Sequence, residues 1–489
     1  MTQLRTLVDA LLVPGFVGTT MPDWLARRLE GGLAGVCWFA HNVVDPEQAT
    51  RLSEALHGTR DGVLVTSDEE GGTVTRIEAA TGSSWPGHAA LGQLDDTSAT
   101  RAVAAAMGFH ARAAGIDVVL APVVDVNSDP ANPVVGVRSF GAEPDLVGRH
   151  GAAFVGGLQS SGVAACAKHY PGHGATRTDS HLDLPRVDAS VETLLARDIA
   201  PFRAAVAAGV RCVMTAHVVF PALDDAPATM SPRLVALLRE EIGFDGVLMS
   251  DALDMKAISD GVGRGAGAVR ALAAGLDLLC IGNPRFPEEY DAEQVLDDIA
   301  DAIVDAVDEG VLSRERLEEA ACRVGDLGRW VQQTQRRVPS AEGDRRLGTD
   351  VARRVVRSQG DVRLAGAPFV VHVDGPVSMA SGRRRSPMIE VLLEHRPGTE
   401  VVAVSSAKDV AGLAEKWGRR PVLVVMGHRR DAGGDEALAA TLSARPDAVV
   451  VYTGLATTDD PGSRVIHCFG GGRASAGAVA DLLMEGHER

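Results

Sequence analysis

Over its first 330 or so residues the chain repeats one unit. A short apolar run ends in polar or glycine residues and is followed by a stretch with apolar positions three and four apart. Eight such runs recur: LLVPGFVG (11–18), GVCWFA (35–40), VLVTSDEE (63–70), DVVLAPVVD (117–125), VAACAKHY (163–170), CVMTAHV (212–218), GVLMSD (246–251) and DLLCIG (277–282). Eight strands alternating with helices predict an α/β fold, a (β/α)8 TIM-type barrel. The helical pattern is clear in 45–58 and 191–209. The intervals 71–116 and 171–211 are too long for one helix each. They must carry extra loop, and long loops in a compact domain are usually functional.

A chain of 489 residues exceeds the size at which one core stops growing, so two domains are expected. The reading is a catalytic barrel over 1–330, a polar linker with some helical content over 331–362, and a smaller C-terminal α/β sandwich over 363–489. The last part repeats the strand signal in PFVVHVD, EVVAVSS, PVLVVMG, AVVVYTG and RVIHCFG, which implies a small open sheet of four or five parallel strands. A formal charge of −17 argues against nucleic acid or an anionic membrane as partner. No apolar stretch reaches the length of a membrane span, and MTQLRTLVDALLVPGF has too short an apolar core for a signal peptide. The six cysteines are isolated, with no CxxC pair, so reduced thiols in a cytoplasmic protein are expected.

Barrel active sites form at the C-terminal ends of the strands. Read in order, those ends carry Asp68 with Glu69 and Glu70, then Asp125, then Lys168 and His169, then His217, then Asp251. Any one of these aspartates could merely cap the following helix. Five strands of eight ending this way point to a shared polar rim. The densest segment is KHYPGHGATRTDSH (168–181), in which Asp179 and His181, one residue apart, look like a positioned proton-transfer dyad. Lysine is scarce, with only Lys168, Lys256, Lys408 and Lys416 in the chain, so a lysine beside His169 suggests a need for a compact ammonium.

That segment, together with SDEEGGTVTR (67–76), NPVVGVRSFG (132–141) and GVLMSDALDM (246–255), resembles glycoside hydrolase family 3, in its β-N-acetylglucosaminidase branch. The resemblance implies a retaining exo-acting enzyme that removes terminal β-linked N-acetylglucosamine from muropeptides or chitooligosaccharides, without a cofactor. Asp251 matches the nucleophile that forms a glycosyl-enzyme ester. His181, oriented by Asp179, matches the acid/base. Asp68, Arg76, Arg138, Lys168 and His169 match sugar-contacting positions, and His217 is a further candidate of that class. Thr73 stands where the family often has a basic residue after EGG, which affects contacts beyond the first sugar.

Several alternatives follow from the same residues. Phosphorolysis is a close rival, because a histidine acid/base and nearby Arg177 would not repel an incoming phosphate as a carboxylate would. A non-catalytic sugar-binding barrel is another. His169 and His173, four apart, have the spacing of a zinc pair, but Pro171 and Gly172 between them break any helix, and no metal is expected. GVGRGAG (261–267) follows no strand and reads as the turn into a helix at 267–274. GGGRASAG (470–477) could bind an anion at a helix N-terminus, although tight packing accounts for its glycines as well.

Overall fold

The computed structural model describes residues 3–180, 183–373, 386–427, 431–456 and 461–484. The chain forms two compact units, one of residues 1–69, 100–135 and 141–343 and the other of residues 70–99, 136–140 and 344–489.

In the first unit the strands are β1 (Leu12–Pro14), β2 (Gly35–Trp38), β3 (Leu64–Ser67), β4 (Val118–Val119), β5 (Ala164–Tyr170), β6 (Cys212–Thr215), β7 (Val219–Phe220), β8 (Asp224–Pro227), β9 (Val247–Ser250) and β10 (Leu279–Gly282). β7 and β8 form an antiparallel hairpin in the loop after β6, and the other eight coincide with the eight apolar runs. β2, β3, β4, β5, β6 and β9 are parallel neighbours in that order, and β1 pairs in parallel with β10. A bridge between Met249 and Leu278 links β9 to β10. This is the curled parallel sheet of a (β/α)8 barrel. Its interior is packed by small and medium side chains such as Leu64, Val118, Ala164, Cys166, Met214 and Met249.

The helices follow local signals. Pro46–His57 starts with proline, and the Asp45 carboxylate accepts the Gln48 N–H at 2.7 Å as an N-cap. The helix expected over 191–209 is broken by a wide turn at Leu194–Asp198 and resumes at Ala200–Ala207. The helix expected at 267–274 begins three residues earlier, at Arg264. Residues 331–362, read as linker, hold the end of helix Arg314–Arg337, all of helix Arg345–Val355 and a short strand, β11 (Arg357–Gln359). Helix Arg314–Arg337 is charged over most of its surface, but Leu317, Ala320, Val324, Leu327 and Val331 make one buried stripe, of which Val324, Leu327 and Val331 join the barrel core.

At the N-terminal side of the barrel His57 Nε2 lies 2.8 Å from Asp117 Oδ2, an oxygen that also accepts the Val65 N–H. Burial works against the His57 cation, but the hydrogen bond and charge of Asp117 outweigh it, raising the imidazole above its ordinary 6.5. A raised folded-state value means the pair stabilises fully below about pH 6.5 and loses that contribution as pH climbs through the folded value. The gap in urea midpoint between wild type and His57→Gln should therefore shrink from about pH 6 to about pH 9. A gap constant over that range would remove the link.

In the second unit β12 (Phe369–Val373), β13 (Glu400–Val404), β14 (Val422–Met426), β15 (Val449–Tyr452) and β16 (Val465–His467) are the five expected strands. With β11 they form one sheet in the order β11-β16-β15-β14-β12-β13, parallel except for β11 at its edge. Val370 faces one apolar cluster while Phe369, Val371 and Val373 face another, so both surfaces of β12 are covered. This unit also contains the long excursion after β3. The Ala474 N–H donates to the Ser83 carbonyl at 3.1 Å, and a Cβ on Gly348 would sit 1.9 Å from the Ser84 carbonyl oxygen. Gly472 meets the backbone of Gly72 so closely that a Cβ would lie 2.6 Å from its oxygen. Packing against that turn therefore accounts for a glycine in the GGGRASAG segment. Among the described residues no helix is long and apolar enough to cross a membrane.

Candidate active site

Five strand ends of the first unit carry the polar residues read from the sequence. β3 leads directly into Asp68 and β5 contains Lys168 and His169. The Lys168 ammonium, only 2% exposed, donates to Asp68 Oδ1 at 2.6 Å. A buried ammonium needs such a partner, because burial without one would discharge it. The residue before this pair in space is Asp125, fully buried at the end of the run that contains β4. Its Oδ2 lies 2.7 Å from His169 Nδ1, while Oδ1 accepts the backbone N–H of His169 at 3.1 Å and of His173 at 2.7 Å. Burial pushes the Asp125 carboxyl up, but the charge and hydrogen bond of His169 and the contacts from His173 prevail, holding it below the usual carboxylate range. Asp125 thereby fixes the orientation of the His169 ring.

After β6, His217 is buried with Nδ1 2.8 Å from Thr229 Oγ1, and Nε2 donates to the Ala252 carbonyl at 3.0 Å. Both ring nitrogens meet protein groups. His217 ties the loop after β6 to the residue following Asp251. Asp251 itself, partly exposed just beyond β9, donates its N–H to the Thr215 carbonyl at 3.2 Å, and its Oδ1 accepts the Ala252 N–H at 2.8 Å.

The segment after β5 turns at Gly172 (φ +140°), where a Cβ would lie 2.8 Å from Asp198 Cβ. Asp198 is buried beneath that turn, and burial raises its carboxyl to about 6 against the opposing pull of Arg197. His173 has Nδ1 2.8 Å from Thr176 Oγ1 and Nε2 3.0 Å from Ser180 Oγ. With both nitrogens directed to hydroxyls, it does not share a ligand site with His169. Asp179 is buried, and the Ser180 carbonyl accepts the Ala257 N–H at 3.3 Å, six residues beyond Asp251. His181 lies outside the described residues. Arg177, invoked above as a cation for phosphate, is 81% exposed and donates Nε to Asp129 Oδ2 at 2.7 Å.

Two of the sugar-contact candidates belong to the second unit. Arg138 makes a two-pronged pair with Glu70, Nε to Oε2 and Nη2 to Oε1, each at 2.8 Å, and Arg76 is 8% exposed. Asp68, Lys168, His169, Asp179, His217 and Asp251 belong to the first. Asp125 stands in the polar rim as a strand end, but the sequence shows neither its hold on His169 nor the contact between His173 and Ser180. Ser180 could be found only from its place in the densest motif, between Asp179 and His181.

Residues 15–327 match the family model described as the glycosyl hydrolase family 3 N-terminal domain. Curated relatives include beta-hexosaminidase A of Pseudoalteromonas piscicida, 33% identical over 396 residues, 73% of this chain and 65% of that protein. Beta-hexosaminidase of Stenotrophomonas maltophilia is 36% identical over 291 residues, 57% of this chain and 85% of that protein. Among solved structures, a glycoside hydrolase family 3 β-N-acetylglucosaminidase from Paenibacillus sp. aligns with TM-score 0.84 and 31% identity, over 99% of this chain and 97% of that one. A β-glucoside phosphorylase aligns with TM-score 0.73 at 16% identity, a likeness of fold.

Proposed function

Since the chain belongs to glycosyl hydrolase family 3, we propose that it is a retaining exo-β-N-acetylglucosaminidase acting through a glycosyl-aspartate intermediate. The observation that carries this reading is the setting of Asp251. Its carboxylate stands partly exposed at the C-terminal rim of the barrel with Oδ1 accepting the Ala252 N–H, its backbone N–H donates to the Thr215 carbonyl, and Ser180 is bonded to the helix just beyond it. The names of the relatives, β-hexosaminidases and a β-N-acetylglucosaminidase, support an N-acetylhexosaminide as substrate.

In the proposed reaction an Asp251 oxygen attacks the anomeric carbon as the glycosidic C–O bond breaks, and His181 gives its proton to the departing oxygen. Asp179 favours the imidazolium that makes this transfer. The neutral imidazole then takes a proton from water, which cleaves the ester and releases the sugar. Asp68 and Lys168 offer an acceptor and a donor to sugar hydroxyls, beside the His169 ring that Asp125 orients. His217 serves by holding the Asp251 segment.

Muropeptides or chitooligosaccharides are the proposed substrates, with cell wall recycling in the cytoplasm as the setting. All six cysteines are free, which supports a reducing compartment. The test is to trap the enzyme with a 5-fluoro N-acetylglucosaminyl fluoride and map the label by mass spectrometry. A sugar esterified to Asp251 is the expected result. Labelling elsewhere, or none on an active enzyme, overturns the mechanism.

A further inference from the structure

His173 has no part in the chemistry proposed above, yet the fold surrounds it with unusual care. Its backbone N–H goes to Asp125 Oδ1 at 2.7 Å, and its carbonyl accepts from Asn132 Nδ2 at 2.8 Å and from the Thr176 hydroxyl at 3.0 Å. The next residue, Gly174, lies flat on the loop after β4, where a Cβ would be 1.8 Å from the Val126 oxygen. The backbone at this point is therefore anchored to the barrel, and only the ring reaches outward along the loop.

The ring spans two hydroxyls. Nδ1 meets Thr176, inside the anchored turn, and Nε2 meets Ser180, the residue between Asp179 and His181. The Thr176 hydroxyl gives its one hydrogen to the His173 carbonyl, so Nδ1–H donates to Thr176 Oγ1 and Nε2 accepts the Ser180 O–H. Burial, reinforced by His169, lowers His173 to about 4, so the ring is neutral across the physiological range and acts as a fixed strut rather than an acid or base. On its other side Ser180 is held through its carbonyl by the Ala257 N–H. Ser180 is thus gripped between the anchored turn and the helix that follows Asp251.

We propose that His173 is a positioning residue: through Ser180 it fixes the backbone that carries Asp179, the partner of the proposed acid/base, against the helix that follows Asp251. This rests on the reading of Asp179 and His181 as the acid/base pair. General acid catalysis demands hydrogen-bond contact with the leaving oxygen, and a misplacement of about 1 Å can cost about 10²-fold. The strut supplies what the loop backbone alone lacks, a side-chain tie across seven positions.

Leaving-group dependence tests it, because an aglycone that departs unaided needs no proton. kcat/KM is measured on aryl N-acetyl-β-glucosaminides from 2,4-dinitrophenyl to unactivated phenyl for wild type, His173→Asn, His173→Gln and Ser180→Ala. His173→Asn keeps an amide near Thr176 but cannot reach Ser180, and Ser180→Ala removes only the far hydroxyl. Both should lose about 10²-fold on the phenyl substrate and less than about threefold on dinitrophenyl. Glutamine places its amide near the old Nε2 position and should recover part of the loss. Equal losses across the series indicate a folding role and overturn the proposal, as does full activity of both Asn and Ala variants. Wild type inactive on every substrate in the series would instead sink the glycosidase reading, and this role with it.

Discussion

Asp251→Asn should lower kcat on an aryl N-acetyl-β-glucosaminide by roughly 10⁴-fold or more, the scale on which loss of a covalent nucleophile is felt. The substitution is nearly isosteric, and the amide oxygen can still accept the Ala252 N–H now bonded to Oδ1. Asp251 is also partly exposed, so the fold should tolerate the change. What disappears is the negative charge, and with it both the attacking oxygen and the stabilisation of an oxocarbenium-like transition state. A loss of 10⁴ corresponds to about 5.5 kcal/mol of barrier. Unchanged urea unfolding with activity within about tenfold of wild type would mean that another group attacks the anomeric carbon.

The largest expected effect on stability is at Asp277. Its carboxylate has no exposure and accepts from Arg239, from Arg316 Nη2 at 2.6 Å, from Arg323 Nη1 at 3.2 Å and from the Leu248 N–H at 3.0 Å. One anion thus accepts from three guanidinium groups, of which Arg316 and Arg323, from helix Arg314–Arg337, also pair with Glu319, and it joins that helix to the entry of β9 and β10. Asp277→Ala would leave those cations crowded together and a strand N–H without its acceptor. Removing one partner of a buried charge cluster costs about 3–5 kcal/mol. The urea midpoint should fall accordingly with little change in slope. Glu318→Ala, which breaks an exposed pair with Arg314 on the same helix, should cost within about 0.5 kcal/mol. Similar losses from the two variants would show that the cluster is not the link between helix and barrel.

Different parts of the molecule were legible to different degrees. The eight barrel strands stood out because strands buried on both faces appear as continuous apolar runs, as in GVLMSD for β9. Helix Arg314–Arg337 was harder, because its buried residues come only every third or fourth position among many charges. β11, with all three residues exposed, has no apolar signal and pairs only through its backbone. Within the site, the motif residues could be named from the sequence, but not their partners. Asp125 was visible as a strand end, whereas its hold on His169 follows from the adjacency of β4 and β5 and spans 44 positions. His217 looked like a sugar contact because a histidine at a strand end has that appearance, and only the structure shows both nitrogens meeting protein groups, at Thr229 and Ala252.

The sequence by itself determined the eight barrel strands, the parallel strands of the second sheet and the cluster of residues at the strand ends, because hydrophobic period and turn chemistry are written in consecutive residues. Tertiary structure alone decided that residues 70–99 pack with the second unit, that Asp277 gathers three arginines and that His173 reaches Ser180 from an anchored turn. Those outcomes depend on strand order, register and side-chain direction, which bring together groups that no local pattern connects.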